Sequence, residues 1–241
     1  MFTFDDHDFD AAFVYHDRIC KISLFSLTSL NVKRLVSAMQ VQFTALMDLR
    51  LLFCREFDDL SPAPALPDGF LIGLVPRLQS LGLRSVAFPA LPKLLLSVTH
   101  LVSLTLFNIP DSWYFSPETM VANLSGLSNL KSLIIGFASR PFRPDRRSQP
   151  TTRTSLPALT RLEFQGDSEY LEDVVARIDV PLLDSISITF FDELRFDIPE
   201  LAQFMRRMTG FKLKETHVDL YDDLDFIHWS VQVGSPTDTD L

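Results

Sequence analysis

The sequence predicts an α/β solenoid, with a parallel sheet on a concave side and helices on a convex side, built from irregular repeats of about 28 residues. Three observations predict it. First, one phrase, apolar-x-x-apolar-x-apolar, recurs along the chain. The clearest copies are Leu78-x-x-Leu81-x-Leu83, Leu101-x-x-Leu104-x-Leu106, Leu130-x-x-Leu133-x-Ile135 and Leu159-x-x-Leu162-x-Phe164. Looser copies flank them: Ile19-x-x-Ile22-x-Leu24, Leu46-x-x-Leu49-x-Leu51, Leu183-x-x-Ile186-x-Ile188 and Leu213-x-x-Thr216-x-Val218. Second, successive starts lie 27, 32, 23, 29, 29, 24 and 30 residues apart, a nearly constant pitch. Third, the segments between copies carry helix-start signals.

Each element follows from its residues. The fourth and sixth positions of every copy alternate with period two, which is the spacing of a strand with one buried face. Asn31 precedes Val32, Leu35, Val36 and Met39, which predicts a helix over 32–39. Ser116 caps a helix with Pro117 in its first turn, continuing through Met120, Val121 and Leu124. After Ser168, the residues Leu171, Val174, Val175 and Ile178 fall at helical spacing. Asp197 and Glu200 form a capping box ahead of Leu201, Phe204 and Met205. Proline turns such as Phe88-Pro89 and Val180-Pro181 separate the units. Alternating strands and helices joined by right-handed crossovers give neighbouring parallel strands with the helices on one side. The pitch lies in the range of leucine-rich repeats. The stretch Asp225–Val233 is expected to add a last edge strand.

Residues 1–14 form an acidic N-terminal segment, 15–233 a single repeat domain, and 234–241 a polar tail. Within the domain, 140–154 has no apolar periodicity and is rich in Pro and Arg. It stands where the fifth repeat would have its helix, so a loop is expected there. A net charge of −9 argues against general nucleic-acid binding, which needs a basic surface to displace counterions. No apolar run reaches the roughly 18 residues of a membrane helix. The start, Met1-Phe2-Thr3-Phe4-Asp5-Asp6, lacks the pattern of a signal peptide. Cys20 and Cys54 lie far apart and read as reduced thiols, which points to the cytoplasm or nucleus.

No residues in the sequence assemble a reaction centre. The five histidines, His7, His16, His100, His217 and His228, form no spaced metal pair with another His or Cys. Asp222-Asp223-Leu224-Asp225 lacks the glycine and the position-12 glutamate of a calcium loop. Asp5-Asp6-His7-Asp8 reads as an acidic terminus, because adjacent residues on a flexible chain do not preorganise coordination. Nucleophile-elbow and phosphate-loop motifs are missing as well. No catalytic, cofactor-binding or metal-binding residue is therefore expected, and no intrinsic enzyme activity. Asp173 and Arg177 are expected as an exposed i,i+4 pair.

Binding is the expected role, and it has two candidate surfaces. The third, fifth and seventh positions of each repeat point away from the buried leucines. The candidates for a protein partner on that concave face are Arg50, Arg84, Ser80, Ser103, Thr105, Phe107, Ser132, Arg161, Glu163 and Ser185. Arg and aromatic residues commonly anchor interfaces. The basic loop offers Arg140, Arg143, Arg146, Arg147 and Arg153 for an acidic or phosphorylated partner.

The chain also resembles the leucine-rich repeats of fungal F-box proteins of the mushroom type. The phrases that carry this include His16-Asp17-Arg18-Ile19-Cys20-Lys21-Ile22 and Val75-Pro76-Arg77-Leu78-Gln79-Ser80-Leu81. Leu91-Pro92-Lys93-Leu94-Leu95-Leu96-Ser97 belongs with them, as do Glu169-Tyr170-Leu171-Glu172-Asp173-Val174 and Leu182-Leu183-Asp184-Ser185-Ile186. The resemblance implies the substrate-recognition repeats of a ubiquitin ligase, with a Skp adaptor held by an F-box. Residues 1–14 are too few for that box, so a Skp contact is expected only if an F-box exists upstream. A free-standing repeat scaffold and a truncated fragment are the alternatives. The ninth repeat position, usually Asn or Cys in such repeats, holds Leu27, Cys54, Val86, Ile109, Ala138, Asp167, Phe191 and Tyr221. The turns must therefore be held by another device.

Overall fold

Every copy of the phrase from Ile19 to Leu183 carries one strand of a parallel sheet in the computed structural model. The structure describes residues 13–53, 64–139, 153–191, 198–208, 213–221 and 226–233, the last two as backbone. The parallel strands are β1 (Lys21–Leu27), β2 (Asp48–Phe53), β3 (Ser80–Arg84), β4 (Ser103–Ile109) and β5 (Ser132–Phe137). After a short β6 (Thr154–Ser155) come β7 (Arg161–Gly166), a short β8 (Ile178–Asp179) and β9 (Ser185–Phe190). β6 and β8 pair with each other as a separate two-stranded sheet. The other seven lie side by side in chain order, so the molecule is an α/β protein with a seven-stranded parallel sheet.

Register is fixed by a contact that recurs six times. The carbonyl of Cys20 accepts from the amides of Met47 and Asp48 at 2.8 and 3.2 Å. Met47 then accepts from Gln79 and Ser80, Gln79 from Val102 and Ser103, and Val102 from Lys131 and Ser132. Lys131 accepts from Thr160 and Arg161, and Thr160 from Asp184 and Ser185. Just before each parallel strand after β1 a tight turn places an apolar residue three positions ahead of the phrase. Phe43, Val75, Val98, Leu127, Leu156 and Val180 fill that place, and all are buried. The repeat thus has one more apolar position than the phrase that marks it in the sequence.

The fourth and sixth positions are buried in every parallel strand, among them Leu49, Leu51, Leu104, Leu106, Leu133 and Ile135. They share one core with the apolar faces of five helices among the described residues. These are α1 (Ser29–Ala38), α2 (Leu91–Ser97), α3 (Pro117–Leu124), α4 (Ser168–Arg177) and α5 (Pro199–Arg207). Successive helices from α2 to α5 pack on one another. Their starts partly follow expectation. Ser116 caps α3 by accepting from the Thr119 amide at 3.3 Å. For α1 the cap is Thr28, not Asn31, and the helix begins earlier, at Ser29. For α4 the cap is Asp167, one residue before Ser168, and Ile178 leaves the helix for β8. The α5 start is held from outside: Glu172 of α4 accepts from the amides of Glu200 and Leu201 at 2.8 and 2.7 Å. Asp197 lies outside the described residues.

In three repeats the ninth position is set by backbone geometry. Ser26, Ser85 and Asn108, all at the eighth position, take left-handed conformations with φ of 58°, 58° and 54°. That turn swings the next residue inward, and Leu27, Val86 and Ile109 are buried accordingly. Asn108 Nδ2 also donates to Ser85 Oγ at 2.6 Å, linking neighbouring turns. Cys54 lies outside the described residues.

The far end departs from expectation. Leu213–Tyr221 (β10) does not continue the parallel array, and Phe226–Val233 (β11) is not the edge. β11 inserts between β9 and β10, antiparallel to both. Only residues 222–225 join β10 to β11. A parallel crossover takes a dozen residues or more, and a link this short makes an antiparallel pair.

Candidate functional site

Strand alternation gives the sheet a second face, opposite the buried leucines and the helices. Pairing aligns the third positions in one row: Lys21, Asp48, Ser80, Ser103, Ser132, Arg161 and Ser185. The fifth positions form a second row: Ser23, Arg50, Gly82, Thr105, Ile134, Glu163 and Ser187. Neither row is part of the buried core. A groove of about 590 Å³ opens along this face, lined from β1, β2, β3, β4, β5 and β7.

Nine of the ten residues expected on this face line the groove: Arg50, Ser80, Arg84, Ser103, Thr105, Phe107, Ser132, Arg161 and Glu163. Ser185 stands in the same row on β9, beyond the groove. Phe25, Leu52 and Ile134 join the lining as apolar residues. The floor is small and hydroxylated, from Ser80, Ser103, Thr105 and Ser132, with Gly82 beside them. Long side chains rise around it.

The charges form local pairs. Asp48 receives Lys21 Nζ at 3.3 Å and Arg50 Nε at 3.1 Å. Arg161 Nε donates to Glu163 at 2.9 Å. The Arg50–Asp48 and Arg161–Glu163 pairs follow from i,i+2 spacing on a strand, which puts the partners on one face. Such exposed pairs are worth roughly 0.2–1 kcal/mol, so a competing carboxylate exchanges with them easily. Arg84 differs. Its guanidinium carbon sits 4.8 Å from the centroid of the Phe107 ring on the next strand, and it has no carboxylate partner among the described residues. Phe107 in turn lies against Gly136 on β5, where an added Cβ would come within 2.7 Å of Phe107 Cδ2. Gly136, Phe107 and Arg84 thus form a shelf across three strands. The sequence alone does not reveal the role of Gly136, because it needs the strand register to be seen.

Of the basic-loop residues, Arg140, Arg143, Arg146 and Arg147 lie outside the described residues. Arg153 is described and acts locally, its Nε donating to the Ala176 carbonyl at 3.1 Å. Arg207 Nη2 donates to the Val175 carbonyl at 2.9 Å. Both serve the C-terminal end of α4, where cations meet unsatisfied carbonyls. Burial, and then the charge of Arg153, lowers the pKa of Arg207, against Asp179 and Glu200, which raise it. Arg177 is not on an exposed face as expected. It is buried, and its Nη2 reaches Glu118 of α3 at 2.6 Å.

Among the described residues no cluster of three or more His, Cys, Asp or Glu is placed to hold a metal ion. None of their helices is long and apolar enough to cross a membrane. Compared with protein-family models, with curated proteins and with solved structures, the chain matches none.

Proposed function

We propose that the chain is a leucine-rich-repeat solenoid that works as a protein-interaction module, with the open face of its sheet as the docking surface. The observation that carries the reading is the groove crossing six strands, floored by small hydroxylated residues and rimmed by Arg50, Arg84, Phe107 and Arg161. Small floor residues let a partner's backbone come close, and Arg and aromatic rims supply the side chains that dominate binding energies. The recurring double hydrogen bond and the in-order strands support the solenoid part of the reading. The sequence resemblance to fungal F-box repeats makes substrate recognition for a ubiquitin ligase, in the cytoplasm or nucleus, the leading context. No enzymatic role is proposed.

The test is a paired capture from a fungal host, using the chain and its Arg84→Ala/Phe107→Ala double variant at equal folded concentration. Partners held by the native chain and lost from the variant support docking at the groove. Stoichiometric retention of the Skp adaptor supports the ligase context. Groove-dependent partners without the adaptor would leave a free-standing scaffold. Identical captures from both proteins would refute the docking surface.

A further inference from the structure

We propose, resting on the docking reading above, that the groove takes an acidic polypeptide segment in extended conformation, with one of its carboxylates held by Arg84. The charge of the groove opposes that of the molecule. Its lining carries three arginines against Glu163 and the adjoining Asp48, which pairs with Arg50, while the whole chain carries −9. At physiological salt, charges beyond roughly 8 Å are largely screened, so a bound segment responds to the lining rather than to the distant acidic surface.

Arg84 is the built element of the site. Arg84 Cζ lies 4.8 Å from the centroid of the Phe107 ring, and a guanidinium carries its N–H donors along a planar edge. That edge matches a carboxylate in a two-bond, planar arrangement. The stack is held in place from beneath, because Phe107 occupies the space that a side chain at position 136 would fill. Arg50 and Arg161 each share a local carboxylate on their own strand, which leaves Arg84 the cation not neutralised within the described groove. The hydroxyls of Ser80, Ser103 and Ser132 lie in one row and offer hydrogen bonds to a backbone laid across them. Asp48 and Glu163 on the same face disfavour a polyphosphate backbone, which would meet them repeatedly; a peptide with spaced carboxylates does not.

The experiment uses the full chain and two fluorescein-labelled nonapeptides, one repeating Glu-Ala-Ala, the other repeating Gln-Ala-Ala, followed by fluorescence polarisation. Saturable binding of the Glu peptide, at least about tenfold tighter than the Gln peptide and weakened by added salt, is expected. Arg84→Gln is expected to lose about tenfold in affinity at an unchanged melting temperature, and Lys33→Gln, on the helical side, to lose nothing. Equal binding of the two peptides, no saturable binding, or full affinity in Arg84→Gln would overturn the proposal. If the acidic peptide fails while capture of cellular partners still depends on Arg84 and Phe107, the acidic assignment alone falls. If that dependence is missing too, the docking reading falls with it.

Discussion

Gly136 is where a single methyl group would be felt most directly on the open face. Its added Cβ would lie 2.7 and 2.9 Å from two Phe107 ring carbons, so the ring must move or the strands must part. Gly136→Ala is expected to cost about 1–3 kcal/mol in urea unfolding. Adding Phe107→Ala should recover much of that loss, and strictly additive effects would show that the two residues are not coupled. Ser26 poses the opposite problem, an exposed serine held at φ 58°. A left-handed conformation costs an ordinary residue roughly 1–2 kcal/mol. Ser26→Gly should therefore raise the melting temperature and Ser26→Val lower it; a reversal would mean that the hydroxyl sets the turn. The rows of groove residues were legible in the sequence because strand alternation is strict. The left-handed eighth position was not, since two of its three residues are serines, which carry no conformational signature of their own.

Among the elements, helices α3 and α4 face each other across the fifth repeat, where no helix is described between β5 and β7. Arg177 reaches Glu118 across that junction, and Glu118→Ala is expected to cost about 1.5–3 kcal/mol, the range for hydrogen bonds to charged groups. Next along, Glu172 supplies the acceptor for two amides at the start of α5. Glu172→Ala should cost about 1–2 kcal/mol, with faster hydrogen exchange at Glu200 and Leu201. Unchanged exchange there would show that water or another group replaces the carboxylate. Existence and order of the seven parallel strands, and most helices, were readable from periodicity. The caps were less so, because they come from residues one or two places away or, for α5, from a neighbouring helix that no local pattern reveals. Arg177 illustrates this: local spacing pointed to an exposed helix face, whereas the arginine is buried and reaches Glu118 on another helix.

At the scale of the molecule, the end of the basic loop, expected to be free of regular structure, is tied in. Arg153 bonds Ala176, and Thr154–Ser155 pairs with Ile178–Asp179. If 141–151 is the loop that the sequence predicts, replacing it with a short Gly-Ser linker should leave the melting temperature within a few degrees, given how weakly loop length affects stability. Extending the deletion through Ser155 should lower it clearly, because the β6–β8 pair goes as well. Equal effects of the two deletions would show that this pair contributes nothing. The seven parallel strands were legible from the repeat. The end of the sheet was not, since Leu213-x-x-Thr216-x-Val218 matches the phrase while the four-residue link to β11 imposes a hairpin on it.

The double hydrogen bond that sets each strand beside the last also works as a ruler. Repeat lengths vary, yet every third-position residue enters the sheet in step with its neighbours. Adjacent strands are spaced about 4.8 Å and an extended chain advances about 3.3 Å per residue. Two strands and three residues both span about 10 Å, so the scales coincide like the marks of a vernier. A chain laid straight across the strands would meet equivalent ground every third residue, and its sequence should carry a three-residue rhythm rather than the two-residue rhythm of an added strand.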